Sequence, residues 1–156
     1  MGMGSLPQEP FRAQSTGYEL QRFEHRRTSS ARRLTPEQRA VARMARAQWA
    51  EDLAARFYER SGYEIIARNW HCREGELDIV AIMASATGAI IAVVEVKARA
   101  TNSYGSPFEA VTQVKQKKLR IATTKFLSAH HELRGEIRFD VVAVLGTQLD
   151  VLHNAF

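Results

Sequence analysis

Apolar residues recur with helical period in the segment that follows residue 35. The stripe repeats every four positions and consists of Val41, Ala45, Trp49, Leu53 and Phe57. Before it, Thr35 is suited to an N-cap and Gln38 completes a capping box, with Pro36 at the first helical position. Gly62 is suited to the C-terminal end. The pattern predicts a helix over residues 36–61.

Three runs rich in Ile and Val come next, at residues 63–71, 76–84 and 89–100. They are too short for typical helices, and β-branched residues favour strands. A turn at residues 86–88 separates the second run from the third. We therefore predict three consecutive strands.

A Ser-x-x-Glu pattern at Ser106 and Glu109 is typical of a helix start, and Thr112 offers an alternative start. We predict a second helix over residues 108–129, followed by strands at 136–145 and 149–153. The order αβββαββ is that of an α/β fold. A hairpin followed by a strand–helix–strand crossover predicts a mixed central sheet of about five strands flanked by helices.

The net charge of +5 belongs to the N-terminal third of the chain. Residues 1–50 contain nine arginines, no lysine and four acids, whereas residues 51–156 contain 13 basic and 13 acidic residues. Residues 1–34 lack a sustained period, so we predict a basic, disordered extension before a domain at 35–156. Such a segment attracts polyanions by counterion release, or is a solvated tail without a partner.

Composition excludes several classes of protein. The longest apolar run, residues 89–94, is far shorter than the roughly 20 residues that span a bilayer. We expect neither a membrane partner nor a secretory signal, and the cytoplasm is the expected location. A single cysteine, Cys72, excludes an internal disulfide and a cysteine-based zinc cage.

The candidate chemistry lies on the second and third predicted strands. Glu76 and Asp78 are two residues apart and share one strand face, as do Glu95 and Lys97 on the next strand. The turn at 86–88 folds the strands back on each other, so that Asp78 can approach Glu95. Neighbouring carboxylates repel unless a cation lies between them, and hard oxygen ligands suit Mg²⁺ or Mn²⁺.

A lysine beside such a pair can position a water molecule and stabilise charge on a phosphate. The strand leading to Glu95 and Lys97 is apolar on both faces, and a charge at its end is costly unless it is paired or bound to metal. The alternative is a surface ion pair at a strand end. Glu51 lies on a helix face with the small residues Ala47, Ala54 and Ala55. These alanines would allow the helix to approach the sheet, although by itself Glu51 reads as a solvated glutamate.

Three further residues are candidates for contact with phosphate. Arg99 lies on the same strand face as Lys97, whereas Lys115 and Lys117 belong to the second helix, where a solvated face is an equal alternative. Tyr104, in the loop after the third strand, is a candidate for contact with substrate, and turn chemistry explains it equally well.

From about Gln48 to Phe156, two thirds of the chain, the sequence resembles a family of bacterial proteins. The resemblance rests on Glu51-Asp-Leu-Ala-Ala, Gly62-Tyr63, Ala67-Arg68-Asn69-Trp70, Gly75-Glu76-Leu77-Asp78, Glu95-Val96-Lys97, Ser106-Pro107, Glu109-Ala110-Val111, Arg138-Phe139-Asp140-Val141-Val142 and Asn154-Ala155-Phe156. This is the uncharacterised YraN family, which looks like the Holliday-junction-resolvase branch of the PD-(D/E)XK nuclease superfamily. The resemblance implies that the αβββαββ elements form a restriction-endonuclease-like (resolvase-like) core. Leu77 stands where the superfamily name implies proline, a change that removes no ligand.

The resemblance implies roles for individual residues. Asp78, Glu95 and Lys97 match the superfamily's core motif, and Glu51 matches its helix-borne glutamate. On this basis Asp78 and Glu95 would bind the ion together with the backbone carbonyl of Val96. Glu51 would complete the ligand set directly or through water, and Lys97 would orient the attacking water.

The resulting hypothesis is a Mg²⁺- or Mn²⁺-dependent endonuclease acting on DNA rather than RNA, with branched or structured DNA the favoured substrate. The alternative is a non-catalytic nucleic-acid-binding module of the same fold, and a third reading is a protein-interaction domain with a basic tail. The sequence does not decide whether the chain forms a homodimer.

Overall fold

The computed structural model of the chain describes residues 33–99 and 111–156, and two helices and five strands lie within them. In chain order they are α1 (Pro36–Arg60), β1 (Glu64–Cys72), β2 (Gly75–Ser85), β3 (Gly88–Arg99), α2 (Gln113–Ala129), β4 (Glu136–Leu145) and β5 (Gln148–Leu152). Leu34–Phe156 forms one compact unit. The predicted disordered extension, residues 1–34, lies almost wholly outside the described residues. The αβββαββ order is confirmed.

The five strands form one sheet in the order β1-β2-β3-β4-β5. All neighbours are antiparallel except β3 and β4, which are parallel. A parallel pair needs a crossover connection, and α2 lies in the connection between β3 and β4. The predicted mixed sheet is therefore confirmed.

Each face of the sheet carries one helix. Alternate residues of the central strands point to opposite faces, so that Val94 of β3 packs with α1 and Val93 packs with α2. Both faces of β2 and β3 are consequently covered, which accounts for their apolar runs. The described helices include none that is both long and apolar enough to cross a membrane.

The start of α1 follows the sequence prediction. Thr35 is the N-cap and its hydroxyl accepts a hydrogen bond from the Gln38 N–H, while the Gln38 side chain accepts one from the Thr35 N–H. Gly62 has φ +90°, a conformation that few residues other than glycine adopt, and it follows the last turn. The helix ends at Arg60.

The apolar stripe of α1, which repeats every four residues, lies mostly outside the packed face of the helix, and of its five residues Leu53 contacts the core cluster. Val41 is 67% exposed and Trp49 is 44% exposed, whereas Ala50, Ala54 and Tyr58 are fully buried. Small side chains let the helix backbone lie close to the sheet, so burial favours the alanine side over the bulkier stripe. The stripe predicts the helix but does not identify the side that packs. The small-residue face that carries Glu51 is the one that packs.

The second helix begins later than the predicted residue 108. Its N-cap is Thr112, whose hydroxyl accepts a hydrogen bond from the Lys115 N–H, and the first helical residue is Gln113. The alternative start at Thr112 is therefore confirmed. The alternative start at Ser106 lies outside the described residues.

Candidate active site

The pairing of β2 with β3 ends beside the two predicted carboxylates. Its last pair places Ile79 opposite Val94, so Asp78 and Glu95 are the next residues to face each other. There the Val96 N–H donates a hydrogen bond to Oδ2 of Asp78, at 2.7 Å. A side chain thus takes the place of a strand carbonyl as the acceptor. The structure brings Asp78 next to Glu95, as predicted.

Glu95 is a buried charge between two lysines. Its side chain is 2% exposed, Lys97 Nζ donates a hydrogen bond to Oε1 at 2.6 Å, and Lys115 Nζ lies 3.1 Å from Oε2. Among the described residues no donor is well aligned for a hydrogen bond to Oε2, and its partner is the ion-pair contact with Lys115. An ionised oxygen without a donor is costly to bury. It is therefore a position where an additional positive ligand would be stabilised.

Asp78 also carries an unmet electrostatic cost. Burial, and next the negative charge of Glu95, raise the pKa of Asp78 to about 7, despite the hydrogen bond from the Val96 N–H. Glu51 adds a smaller effect in the same direction. Two adjacent carboxylates repel each other, and a cation bound between them would reduce that repulsion.

Lys115 belongs to the site rather than to an outer helix face. Burial alone would lower the pKa of its ammonium group, but the carboxylates of Glu95, Asp78 and Glu76 outweigh burial and raise that pKa. Lys115 therefore remains charged at neutral pH. The sequence predicted a phosphate ligand at Lys115 but not its contact with Glu95. That contact depends on the crossover from β3 to β4, which contains α2.

Glu51 approaches the site through Asn69. Asn69 of β1 has φ +50°, which asparagine tolerates better than most residues, and its amide donates a hydrogen bond to Oε2 of Glu51 at 2.8 Å. The pairs Arg68–Ile79 and Trp70–Leu77 flank it, so Asn69 lies opposite Asp78. Sequence reasoning missed this role of Asn69. The available signal was an asparagine within a predicted strand, in the segment Ala67-Arg68-Asn69-Trp70, because asparagine tolerates positive φ and carries a side-chain donor.

The carboxylates at this site are oxygen donors of the kind that bind divalent ions. No group of three or more acidic, histidine or cysteine side chains in residues 33–99 and 111–156 is arranged to hold a metal. Asp78 and Glu95 together are a pair of hard oxygen ligands, and Mg²⁺ commonly uses one or two carboxylates and retains several waters. The pair fits such an ion. The roles of Glu51 and the Val96 carbonyl as further ligands stay predictions.

The remaining predicted residues are distributed around this centre. Arg99 lies at the end of β3 and lines a cavity of about 440 Å³ together with Arg46 and Trp49. Lys117 is exposed and, two residues from Lys115, points away from it around the helix. Tyr104 lies outside the described residues. A second cavity, of about 340 Å³, is lined by Lys115 and Glu76 on one side and by His71 and Cys72 on the other.

These features define a class of protein: an α/β domain in which a buried glutamate, a half-buried aspartate and two lysines meet where the pairing of two central strands ends. The model of the uncharacterised protein family UPF0102 matches residues 50–144, and the chain belongs to that family. A UPF0102 protein of Clavibacter michiganensis subsp. michiganensis is 45% identical over 95 residues, covering 61% of this chain and 77% of the relative. One from Acidothermus cellulolyticus is 38% identical over 132 residues, covering 75% and 97%. One from Nocardia farcinica is 47% identical over 97 residues, covering 62% and 73%.

Proposed function

We propose that this chain is a divalent-metal-dependent nuclease that hydrolyses phosphodiester bonds, with DNA, branched or structured, as the favoured substrate. The observation that carries the proposal is the pairing of half-buried Asp78 with buried Glu95, in which one Glu95 oxygen has no aligned hydrogen-bond donor and the pKa of Asp78 is raised to about 7. An acid whose pKa is strongly raised by burial and by a second acid at the same place favours a functional role.

The residues have separate roles in this proposal. Asp78 and Glu95 would hold Mg²⁺ or Mn²⁺, which when bound makes water a better nucleophile and offsets charge on the phosphate. Lys97, held by Glu95, orients the attacking water and donates hydrogen bonds to the phosphate oxygens. Lys115 supplies a second positive charge beside the same carboxylate.

The reaction is an ordinary hydrolysis. The water oxygen forms a bond to phosphorus, the bond from phosphorus to one sugar oxygen breaks, and that oxygen takes up a proton. The products are a phosphate monoester and a free hydroxyl. The two lysines stabilise the additional negative charge that develops on the phosphate oxygens in the transition state.

The test is a cleavage panel over linear, flapped and four-way-junction DNA with Mg²⁺ or Mn²⁺. Asp78→Asn and Glu95→Gln should abolish cleavage and weaken Mn²⁺ binding measured by calorimetry, because each removes an anionic ligand. Lys97→Ala should leave Mn²⁺ binding nearly intact and reduce cleavage by roughly 10² or more, the scale for losing one transition-state contact.

Asp150→Asn is the matched control, since Asp150 is an exposed acid on β5 of the same sheet. It should retain full cleavage and full Mn²⁺ binding. Wild-type cleavage that survives all three site substitutions would place the activity elsewhere and contradict the proposal.

A non-catalytic nucleic-acid-binding module is the second candidate. One observation favours it: Lys97 and Lys115 already lie against Glu95, so much of its charge is offset without an ion. DNA binding that needs no metal, with no cleavage of any substrate by either ion, would select this candidate.

A further inference from the structure

A row of arginines continues the packed face of α1 beyond the part of the helix that contacts the sheet. Arg39, Arg43 and Arg46 are spaced by four and three residues, and four residues further on is Ala50, the first fully buried position of the helix. Residues with this spacing lie along one side of a helix. All three arginines are exposed. The row is about 10 Å long, because a helix rises about 1.5 Å per residue.

The same region is anchored to the end of the sheet. The Trp49 indole N–H donates a hydrogen bond to the carbonyl of Gly146, in the turn after β4, at 3.2 Å. Arg46 and Trp49 line the cavity of about 440 Å³ whose other wall includes Arg99. Arg99 follows Lys97 by two residues on β3, a separation of about 7 Å along the strand. The arginine row is therefore continuous with the end of the strand that bears the candidate lysine.

The charge of this region is strongly one-sided. Glu37 is the only acidic residue between positions 34 and 50, against the three arginines of the row. The basic residues are all arginine, whose planar guanidinium binds a phosphate through two hydrogen bonds. The family match begins at residue 50, so the row lies outside the segment that this chain shares with the family model.

We infer that the row of Arg39, Arg43 and Arg46, with Arg46 and Arg99 at its inner end, binds the phosphate backbone of the nucleic acid flanking the bond at the Asp78–Glu95 site. The inference rests on the proposed function for the identity of the substrate. In this inference α1 contacts several phosphates next to the phosphate that is hydrolysed, but not the hydrolysed phosphate itself. Positive charge alone would suit any polyanion, whereas the continuity of the row with the end of β3, and so with the proposed phosphodiester site, favours nucleic acid over an acidic protein.

The test is the salt dependence of DNA binding by the full chain in EDTA, measured by fluorescence anisotropy with a labelled four-way junction. The double variant Arg43→Gln/Arg46→Gln removes two contacts and keeps good helix-forming residues. Each lost phosphate contact reduces the slope of log K against log salt by about 0.9, so the slope should become shallower by about 2. Affinity at low salt should fall roughly 10-fold or more.

The matched control is Arg60→Gln/Arg134→Gln, which removes the same charge from exposed residues at the opposite end of the fold. Arg60 is the last residue of α1, and Arg134 lies just before the start of β4. Its slope should equal that of the wild type. Equal slopes for the two double variants would overturn the inference, because the effect would then be one of net charge alone.

The failure of this inference is distinguishable from failure of the nuclease proposal. An unchanged slope in Arg43→Gln/Arg46→Gln, with metal-dependent cleavage intact, overturns the binding row and leaves the nuclease. A shallower slope without any cleavage supports the row and rejects the nuclease. A double variant that loses affinity for a labelled polyglutamate peptide but not for DNA would overturn the assignment to nucleic acid.

Discussion

Asp140 on β4 and Asp78 on β2 are both acids within the same sheet, and their surroundings are opposite. Asp140 has a fully buried side chain that accepts hydrogen bonds from the Arg138 guanidinium, at 2.8–3.2 Å, and from the Tyr58 hydroxyl, at 2.6 Å. The Asn154 N–H donates another at 3.0 Å, and His153 Nδ1 lies 3.0 Å away. The only hydrogen bond given to Asp78 among the described residues is that from the Val96 N–H.

The pKa values of the two acids are shifted in opposite directions. Burial would raise the pKa of Asp140, but the hydrogen bonds from Arg138, Tyr58 and His153 outweigh burial and hold that pKa below its usual value. At Asp78, burial and the charge of Glu95 act together and raise the pKa to about 7. A buried acid with a complete set of donors holds the C-terminal residues to the sheet. A half-buried acid that has a single donor and a raised pKa is a candidate binding site.

The largest expected effect concerns the hydrogen bonds around Asp140. Asp140→Asn should lower the free energy of unfolding by about 2–4 kcal/mol, because it leaves the Arg138 guanidinium without its carboxylate. In the wild type the contribution of Asp140 is present above about pH 4, where unfolded aspartate is ionised, and is lost as pH falls through the lower folded pKa. Urea unfolding at pH 7 and at acidic pH measures both effects. Asp150→Asn, at an exposed position, should change the free energy by less than about 0.5 kcal/mol.

Asp78→Asn should have the opposite sign. Because the folded pKa of Asp78 is raised, the wild type loses stability as pH increases from about 4 to about 7. Asparagine cannot ionise and keeps an oxygen for the Val96 N–H, so in EDTA at pH 8 the variant should be more stable by about 1–2 kcal/mol. The gain should vanish near pH 4. A gain that is the same at both pH values, in urea unfolding, would contradict this account of Asp78.

Ion binding should depend on the same protonation. A carboxylate must lose its proton to bind a metal, so Mn²⁺ affinity should increase about 10-fold per pH unit below pH 7 and become constant above it. Calorimetric titration of the wild type between pH 5.5 and 8.5 measures the profile. Affinity that does not change with pH would show that the ion binds away from Asp78.

The smallest expected effect concerns the edge of the Asp140 network. His153 is half exposed and is one of several groups around Asp140, so His153→Gln should cost only about 0.5–1 kcal/mol. Thermal and urea unfolding provide the measurement. A loss as large as that of Asp140→Asn would mean that His153, rather than Arg138, neutralises the buried carboxylate.

The sequence by itself determined the elements of this protein and the residues that carry its candidate chemistry. The capping box at Thr35, the β-branched runs and the crossover helix are local signals, and the order αβββαββ follows from them. The alternation of side chains along a strand placed Glu95 and Lys97 on one face. It depends only on backbone geometry.

Tertiary structure decided which faces pack and which charges meet. The apolar stripe with Val41 and Trp49 predicts a helix, but α1 packs mainly by Ala50, Ala54 and Tyr58, because the small alanines allow a close approach to the sheet. Lys115 contacts Glu95 because the parallel pairing of β3 with β4 places α2 over that face. Asp140 is structural and Asp78 is a candidate ligand for the same kind of reason. The number of hydrogen-bond donors around an acid depends on residues distant in the chain, such as Tyr58 and Asn154 for Asp140. It therefore cannot be read from the local sequence.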